Sequence, residues 1–255
     1  MRADIPSVTL LGVRVARLSE ADALEEIARL YDEGGPAIVA FANAHTLNVA
    51  YVEPDFARVL SEIDLLLNDG SGLAIAARLR GDSFLANLNG TDLTPLVLDL
   101  AATRGARVFL LGGREGVAAQ ALYSLAEIRP DLQVVGARSG YIEPGEVDAV
   151  IDEIRAARTD VLVVGMGNPL QEHWLAEHLA ATGARLGLAV GAFIDFQAGV
   201  VKRSPVWMRR CGIEWMYRLR LEPRRLGHRY LVGNPRFLSR AWRTRRAGSE
   251  RVAVG

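Results

Sequence analysis

The chain has one cysteine, Cys211, in 255 residues. A lone thiol excludes a disulfide framework and a cysteine zinc site. Long apolar runs are also missing: half of the residues are hydrophobic, yet charges interrupt every run well short of membrane-spanning length. Met1 to Pro6 lacks the apolar segment of a secretory signal, so the expected compartment is the cytoplasm. Metal and covalent chemistry find little support. His45, His173, His178 and His228 are scattered, and His173 and His178, five apart, share a helix face poorly. No Asp-x-Asp pair exists to hold a divalent ion against a nucleotide diphosphate, and no Gly-x-Ser-x-Gly elbow marks a serine nucleophile. The expectation is no metal and no cofactor.

What the chain has in excess is arginine near its end. The formal net charge is zero. Between Lys202 and Arg246, however, stand Lys202, Arg203, Arg209, Arg210, Arg218, Arg220, Arg224, Arg225, Arg229, Arg236, Arg240, Arg243, Arg245 and Arg246, opposed only by Glu214 and Glu222. The preceding chain is correspondingly acidic. That asymmetry points to an anionic partner: substrate phosphates, a membrane surface or nucleic acid. The last is disfavoured by the acidic main body and the lack of a recognised nucleic-acid module.

Along the chain, Val8 to Leu18 reads as two short strands or a hairpin, and Ser19 as the N-cap of a helix over Glu20 to Tyr31. Short apolar runs at Ala37 to Phe41, Leu65 to Leu67, Arg107 to Leu111, Leu132 to Val135, Val161 to Val164 and Leu186 to Val190 alternate with helical stretches. One helix is expected to be capped by Thr91, and another begins with Pro169 in its first turn. This alternation predicts an α/β fold with a Rossmann-like, mostly parallel sheet and helices on both faces. Residues 1–201 form the expected α/β domain and 202–247 a basic helical appendage that completes the site and docks on membrane. The stretch 248–255 is an expected disordered tail.

In a parallel sheet the loops at the strands' carboxyl ends converge on one edge, where ligands bind. One cleft there could receive Asn43, Asp69, Gln171 and Asp195. Gly165, Gly167, Asn168 and Pro169 lead into a helix start, placing Gln171 and Glu172 in a first turn able to face a ligand. Asp69 ends an apolar strand, where burial raises a carboxylate towards a useful base, although it could equally bond the turn amides of Ser71 and Gly72 or cap the next helix. Gly112-Gly113 follows a strand and opens a helix. Its spacing departs from the dinucleotide fingerprint, and no acidic residue follows the next strand. A sugar-nucleotide phosphate or plain tight packing suits it better than NAD.

Together these residues resemble the WecG/TagA/CpsF family of bacterial glycosyltransferases, from about Ile38 to Leu231. The carriers are Asn43-Ala-His45, Asn68-Asp69-Gly70-Ser-Gly72, Gly90-Thr-Asp92-Leu93, Phe109-Leu-Leu-Gly-Gly113, Gly167-Asn-Pro-Leu-Gln171-Glu172, Asp195-Phe-Gln-Ala-Gly199, Arg203-Ser-Pro205, Glu214-Trp215-Met-Tyr-Arg218-Leu219 and Glu222-Pro-Arg-Arg225. The resemblance implies a metal-independent, inverting transfer from a UDP-sugar to a lipid-pyrophosphate-linked sugar, for cell-surface polysaccharide, by an enzyme peripheral at the inner face of the plasma membrane. It implies Asp69 as the base, Gln171 as a sugar-positioning residue, and Arg218, Arg225 and Arg229 as diphosphate ligands. The usual donor sugar is N-acetylmannosamine. Phe41 and Asn87 depart from the threonine and arginine often found at those places, which leaves glucose or another hexose open as the donor sugar. A non-catalytic partner of a polysaccharide complex is the alternative role, and a homo-oligomer is left open.

Overall fold

The computed structural model describes residues 4–205, 207–208 and 213–252. A hairpin comes first: β1 (Ser7–Leu10) pairs antiparallel with β2 (Val13–Ala16), Leu10 opposite Val13. Its two linking residues, Leu11 and Gly12, both have positive φ, which is the turn that matches the twist of two-residue hairpins. Ser19 then caps α1 (Glu20–Glu33) as expected. Its side chain accepts from Asp22 N, and the Asp22 carboxylate accepts from the Ser19 backbone.

The apolar runs form β3 (Ala37–Ala42), β4 (Leu65–Asn68), β5 (Arg107–Gly112), β6 (Gln133–Arg138), β7 (Val161–Gly165) and β8 (Leu186–Ala189). They make one six-stranded sheet, ordered β4-β3-β8-β7-β5-β6, with every pairing parallel. Side chains alternate across each strand, so Val161 and Val163 enter one apolar layer and Leu162 and Val164 the other. The first layer is covered by α1, α5 (Gly90–Thr103), α6 (Val117–Ile128) and α9 (Phe193–Gln197). The second is covered by α2 (Ala44–Val52), α3 (Pro54–Glu62), α4 (Ser71–Leu79), α7 (Val147–Ala156) and α8 (Leu170–Thr182). Burial on both faces is why these strands read as continuous rather than alternating apolar runs.

Two local expectations are corrected. The strand expected to stop at Val135 continues to Arg138, because Gly136 lets β5 and β6 pack closely: a β-carbon there would lie 2.3 Å from the Phe109 ring. The cap of α5 is Asn89 rather than Thr91, its side chain accepting from Asp92 N at 3.0 Å.

After β8 and α9 the alternation ends, as the sequence suggested. The tail comprises α10 (Glu214–Leu221), α11 (Pro223–Gly227), a π-helical turn (His228–Gly233) and α12 (Asn234–Val252). It lies on the body. Phe237 and Ala241 of α12 are fully buried in the core cluster that holds Leu47 of α2 and Leu73 of α4. Polar contacts fix the register: Asn48 Nδ2 donates to Gly233 O at 2.7 Å, Arg240 Nη1 to Asn48 Oδ1 at 2.8 Å, and Arg80 Nη1 to Thr244 Oγ1 at 3.2 Å. Arg240 also stacks over Tyr51, 4.4 Å from the ring centroid. Burying Phe237 alone contributes about 2–3 kcal/mol to holding the tail down. α12 reaches into the stretch 248–255 expected to be disordered, and residues 253–255 lie outside the described residues. No described helix is long and apolar enough to cross a membrane.

Candidate active site

The main cleft opens at the carboxyl ends of β3 and β4 and has about 830 Å³ of space counted to its open mouth. Body and tail share its walls. Asn43, His45 and Asp69 come from the sheet edge, Asn87, Asn89 and Thr91 from the loop before α5 and its first turn, and Glu214, Trp215, Arg218, Arg229, Tyr230 and Asn234 from the tail.

Asn43 organises the sheet side. It is the N-cap of α2, its Oδ1 accepting from His45 N at 3.0 Å and Thr46 N at 3.2 Å. With its oxygen committed to the helix, the amide has only its Nδ2 hydrogens to offer elsewhere. They are directed towards the Asp69 carboxylate and favour its charged form. Asp69 itself follows the last residue of β4, held by its N–H donating to Ala42 O at 2.7 Å. It does not cap α4: Gly70 occupies the N-cap, and no side chain fills the role. The Gly70 N–H donates instead to Asn87 Oδ1 at 2.7 Å, so Asn87 braces the turn beside Asp69.

The Asp69 carboxyl is half-open to the cleft, yet enough protein surrounds it that desolvation pushes its pKa above the usual carboxylate value. Arg218 and Arg229 oppose that rise, Glu214 adds to it, and the Asn43 hydrogen bond opposes it. His45 is driven the other way, to about 4, by burial and by the charge of Arg229, so it is a neutral group at neutral pH. The arrangement presents a strengthened carboxylate base within the field of two guanidinium groups. Arg218 lies over the Phe196 ring at 5.5 Å, with a buried Nε that has no partner among the described residues. The Arg225 side chain lies outside the described residues.

A second cluster sits further along the same edge, after β5, β7 and β8. Gln171 and Glu172, expected to face a ligand, lie beneath the loop instead, 2% and 0% exposed. Pro169 takes the N-cap of α8, so both lie in its first turn as expected, but with their side chains turned inward. Gln171 Oε1 accepts from Gly167 N at 3.1 Å and Gly191 N at 3.0 Å, tying the β7 loop to the β8 loop. Gln171 Nε2 and Asn168 Nδ2 both donate to Glu172 Oε1. Gly112 and Gly113 serve close approach: a β-carbon at Gly112 would meet Gly165 O at 2.5 Å, and one at Gly113 would meet the Val117 side chain at 2.7 Å. Asp195 Oδ1 lies 3.6 Å from that second position. The single cleft expected for Asn43, Asp69, Gln171 and Asp195 is therefore two neighbouring clusters, of which only the first two residues line the main cavity.

Burial, only partly offset by its two amide partners, pushes Glu172 up to about 7, and its Oε2 has no partner among the described residues. A carboxyl raised from 4.5 to about 7 in the folded state gives its full stabilisation below pH 4.5 and loses it as pH rises through 7. Wild-type stability, measured against Glu172→Gln, is expected to fall by roughly 2–3 kcal/mol between pH 5 and pH 8. Thermal melts of both proteins across that range check this, and a constant difference between them refutes it.

Sequence reasoning missed Asn89, Thr91, Tyr230 and Asn234 as cleft residues. Their only signals were the conspicuous Asn87-Leu-Asn89 pair and the aromatic density of the tail. Phe41, noted as a departure, points away from the cleft into the core against α5, where a β-carbon on Gly90 would lie 2.9 Å from its ring.

The chain is 28% identical over 219 residues to an N-acetylglucosaminyldiphosphoundecaprenol N-acetyl-beta-D-mannosaminyltransferase of Bacillus spizizenii, covering 86% of this chain and 84% of the relative. It is 28% identical over 187 residues to the protein of that name in Bacillus subtilis, covering 73% and 72%. It is 26% identical over 228 residues to the one in Staphylococcus aureus, covering 89% of each chain. Residues 8–251 match a single family profile, nearly the whole of the described chain, and on that match this protein belongs to the WecG/TagA/CpsF family of glycosyl transferases.

Proposed function

We propose that this enzyme transfers N-acetylmannosamine from its UDP derivative to a lipid-diphosphate-linked N-acetylglucosamine, inverting the anomeric centre. The observation that carries the reading is the meeting of Asp69 with Arg218 and Arg229 in one cleft. The relatives' names supply the donor sugar and acceptor. In the reaction, an acceptor hydroxyl attacks the anomeric carbon while Asp69 takes its proton. The bond from that carbon to the diphosphate breaks on the opposite face, and UDP leaves with the electron pair. Arg218 and Arg229 neutralise the charge that builds on the departing diphosphate, which fixed protein charge can do in place of a metal ion. Asn43 orients the base. Gln171, with Gly112, Gly113, Gly167, Asn168 and Asp195, shapes the adjoining loops along which an extended nucleotide sugar can lie.

Body and tail act here as one catalytic unit, with residues from about 202 onward closing a site the sheet only half builds. The exposed Trp207, Leu231, Val232 and Trp242, set among arginines, suit an anionic bilayer surface. Purified protein assayed with a panel of UDP-sugars and a short-chain prenyl-diphosphate N-acetylglucosamine acceptor tests the whole reading. Transfer from UDP-N-acetylmannosamine in excess EDTA, with salt-sensitive sedimentation on anionic vesicles, is expected. Transfer from UDP-glucose alone reassigns the donor, and a requirement for added magnesium or manganese overturns the metal-free mechanism. Salt-insensitive sedimentation overturns the electrostatic docking.

A further inference from the structure

A carboxylate is out of place in a cleft arranged to hold a diphosphate. Glu214, the first residue of α10, nevertheless lines that cleft one helical turn before Arg218. At that spacing the two side chains share a helix face. The Glu214 charge also works against an ionised Asp69. That charge strengthens Asp69 as a base but disfavours anion binding in the same cleft, and a carboxylate so placed is also a strong hydrogen-bond acceptor. Among the described residues no hydrogen bond or ion pair ends on its carboxylate. Both oxygens are therefore available as acceptors, up to about four hydrogen bonds between them.

The next residue supplies the complement. Trp215 lines the same wall, and its ring is set edge-on to Tyr230, with centroids 5.9 Å apart and planes at 60°. That pairing joins α10 to the π-helical turn and fixes the indole's orientation in the cleft. A carboxylate with no partner among the described residues, beside a fixed indole, matches the two faces of a pyranose. Vicinal hydroxyls donate to the carboxylate, and the apolar C–H face packs on the ring. Asn234, at the start of α12, adds an amide to the same wall.

We propose that Glu214 and Trp215 form a sugar-ring subsite on the tail side of the cleft, and so set which pyranose the enzyme accepts. The inference rests on the transferase reading above and deepens it, since neither residue carried an assigned role there. The ring can belong to the donor or to the acceptor, and kinetics separate the two.

The test measures kcat and the KM for UDP-N-acetylmannosamine and for a short-chain prenyl-diphosphate N-acetylglucosamine, in wild type, Glu214→Gln, Trp215→Leu and Trp215→Phe. UDP affinity is measured by calorimetry on the same preparations. Losing a charge-assisted contact to hydroxyls is expected to raise one of the two KM values about ten-fold or more in Glu214→Gln. UDP affinity should stay equal or tighten, because a repelling charge has gone, and retained UDP binding also establishes that the variant is folded. Trp215→Leu should raise the same KM and Trp215→Phe should restore most of it. Both KM values within two-fold of wild type in Glu214→Gln overturn the subsite. Wild-type protein that binds UDP but transfers no N-acetylmannosamine to the acceptor overturns the transferase reading instead, so the two failures are distinct.

Discussion

Asp69→Asn is expected to lower turnover by about two to four orders of magnitude while leaving the fold and UDP affinity in place. The amide is nearly isosteric and can still accept from Asn43, so the local hydrogen bonding survives. What is lost is the capacity to take a proton. The direction of the Asp69 pKa sharpens the expectation. Desolvation and the neighbouring Glu214 raise it, with Arg218, Arg229 and Asn43 opposing. Because the net shift is upward, the acid limb of the wild-type rate profile should lie above the ordinary carboxylate range, and bound diphosphate should push it higher still. The same shift has a stability sign. A carboxyl whose folded pKa is raised favours folding when protonated, and that contribution is lost as pH rises through the folded value. Above the folded value the charged group is therefore a liability, and at the alkaline end Asp69→Asn should melt at a higher temperature than wild type. Steady-state rates from pH 4 to 9, with melts at the two ends, check both statements. Near-normal turnover in Asp69→Asn assigns the residue to the turn and removes it from the chemistry.

Arg218→Ala should lower kcat by about two to three orders of magnitude, the usual cost of removing a group aimed at developing charge. Three features point to Arg218 rather than to tail arginines in general. It lines the cleft, its charge reaches Asp69, and it sits over the Phe196 ring with a buried Nε lacking a partner among the described residues. Arg240 is the natural contrast. It is spent on Asn48 and Tyr51, so its loss should loosen the tail and lower the melting temperature with a much smaller effect on kcat. Arg218→Lys should recover only part of the rate, because an ammonium cannot reproduce the planar, bidentate fork. Rates for the three variants, each with its melting temperature, decide the point. If Arg218→Ala retains wild-type kcat, the departing diphosphate is held by other groups.

The secondary structure was legible because it is written locally. Doubly buried strands read as short β-branched and leucine runs, Ser19 announced a helix start, and the glycines after Leu111 and Val164 announced turns. The failures were local competitions that the pattern could not rank. Asn89 outcompetes Thr91 as a cap because its oxygen reaches Asp92 N, and Gly136 prolongs a strand because Phe109 needs the room. Asp69 and Asn43 were recognisable as site residues, since each ends a buried strand with a polar side chain. Their adjacency was not, and it comes from β3 and β4 being paired neighbours, Ala42 opposite Asn68. The expected union with Gln171 failed for the same kind of reason. With order β4-β3-β8-β7, three strand spacings, ~14 Å, separate the ends of β4 and β7. Sequence determined which segments become strands and helices and which residues stand at their ends. Only the tertiary structure decided which ends share a cleft, which polar side chains are buried beneath a loop, and which residues of the basic tail reach the cleft wall. Strand order and tail docking are set by packing between segments far apart in the chain, and no local pattern encodes it.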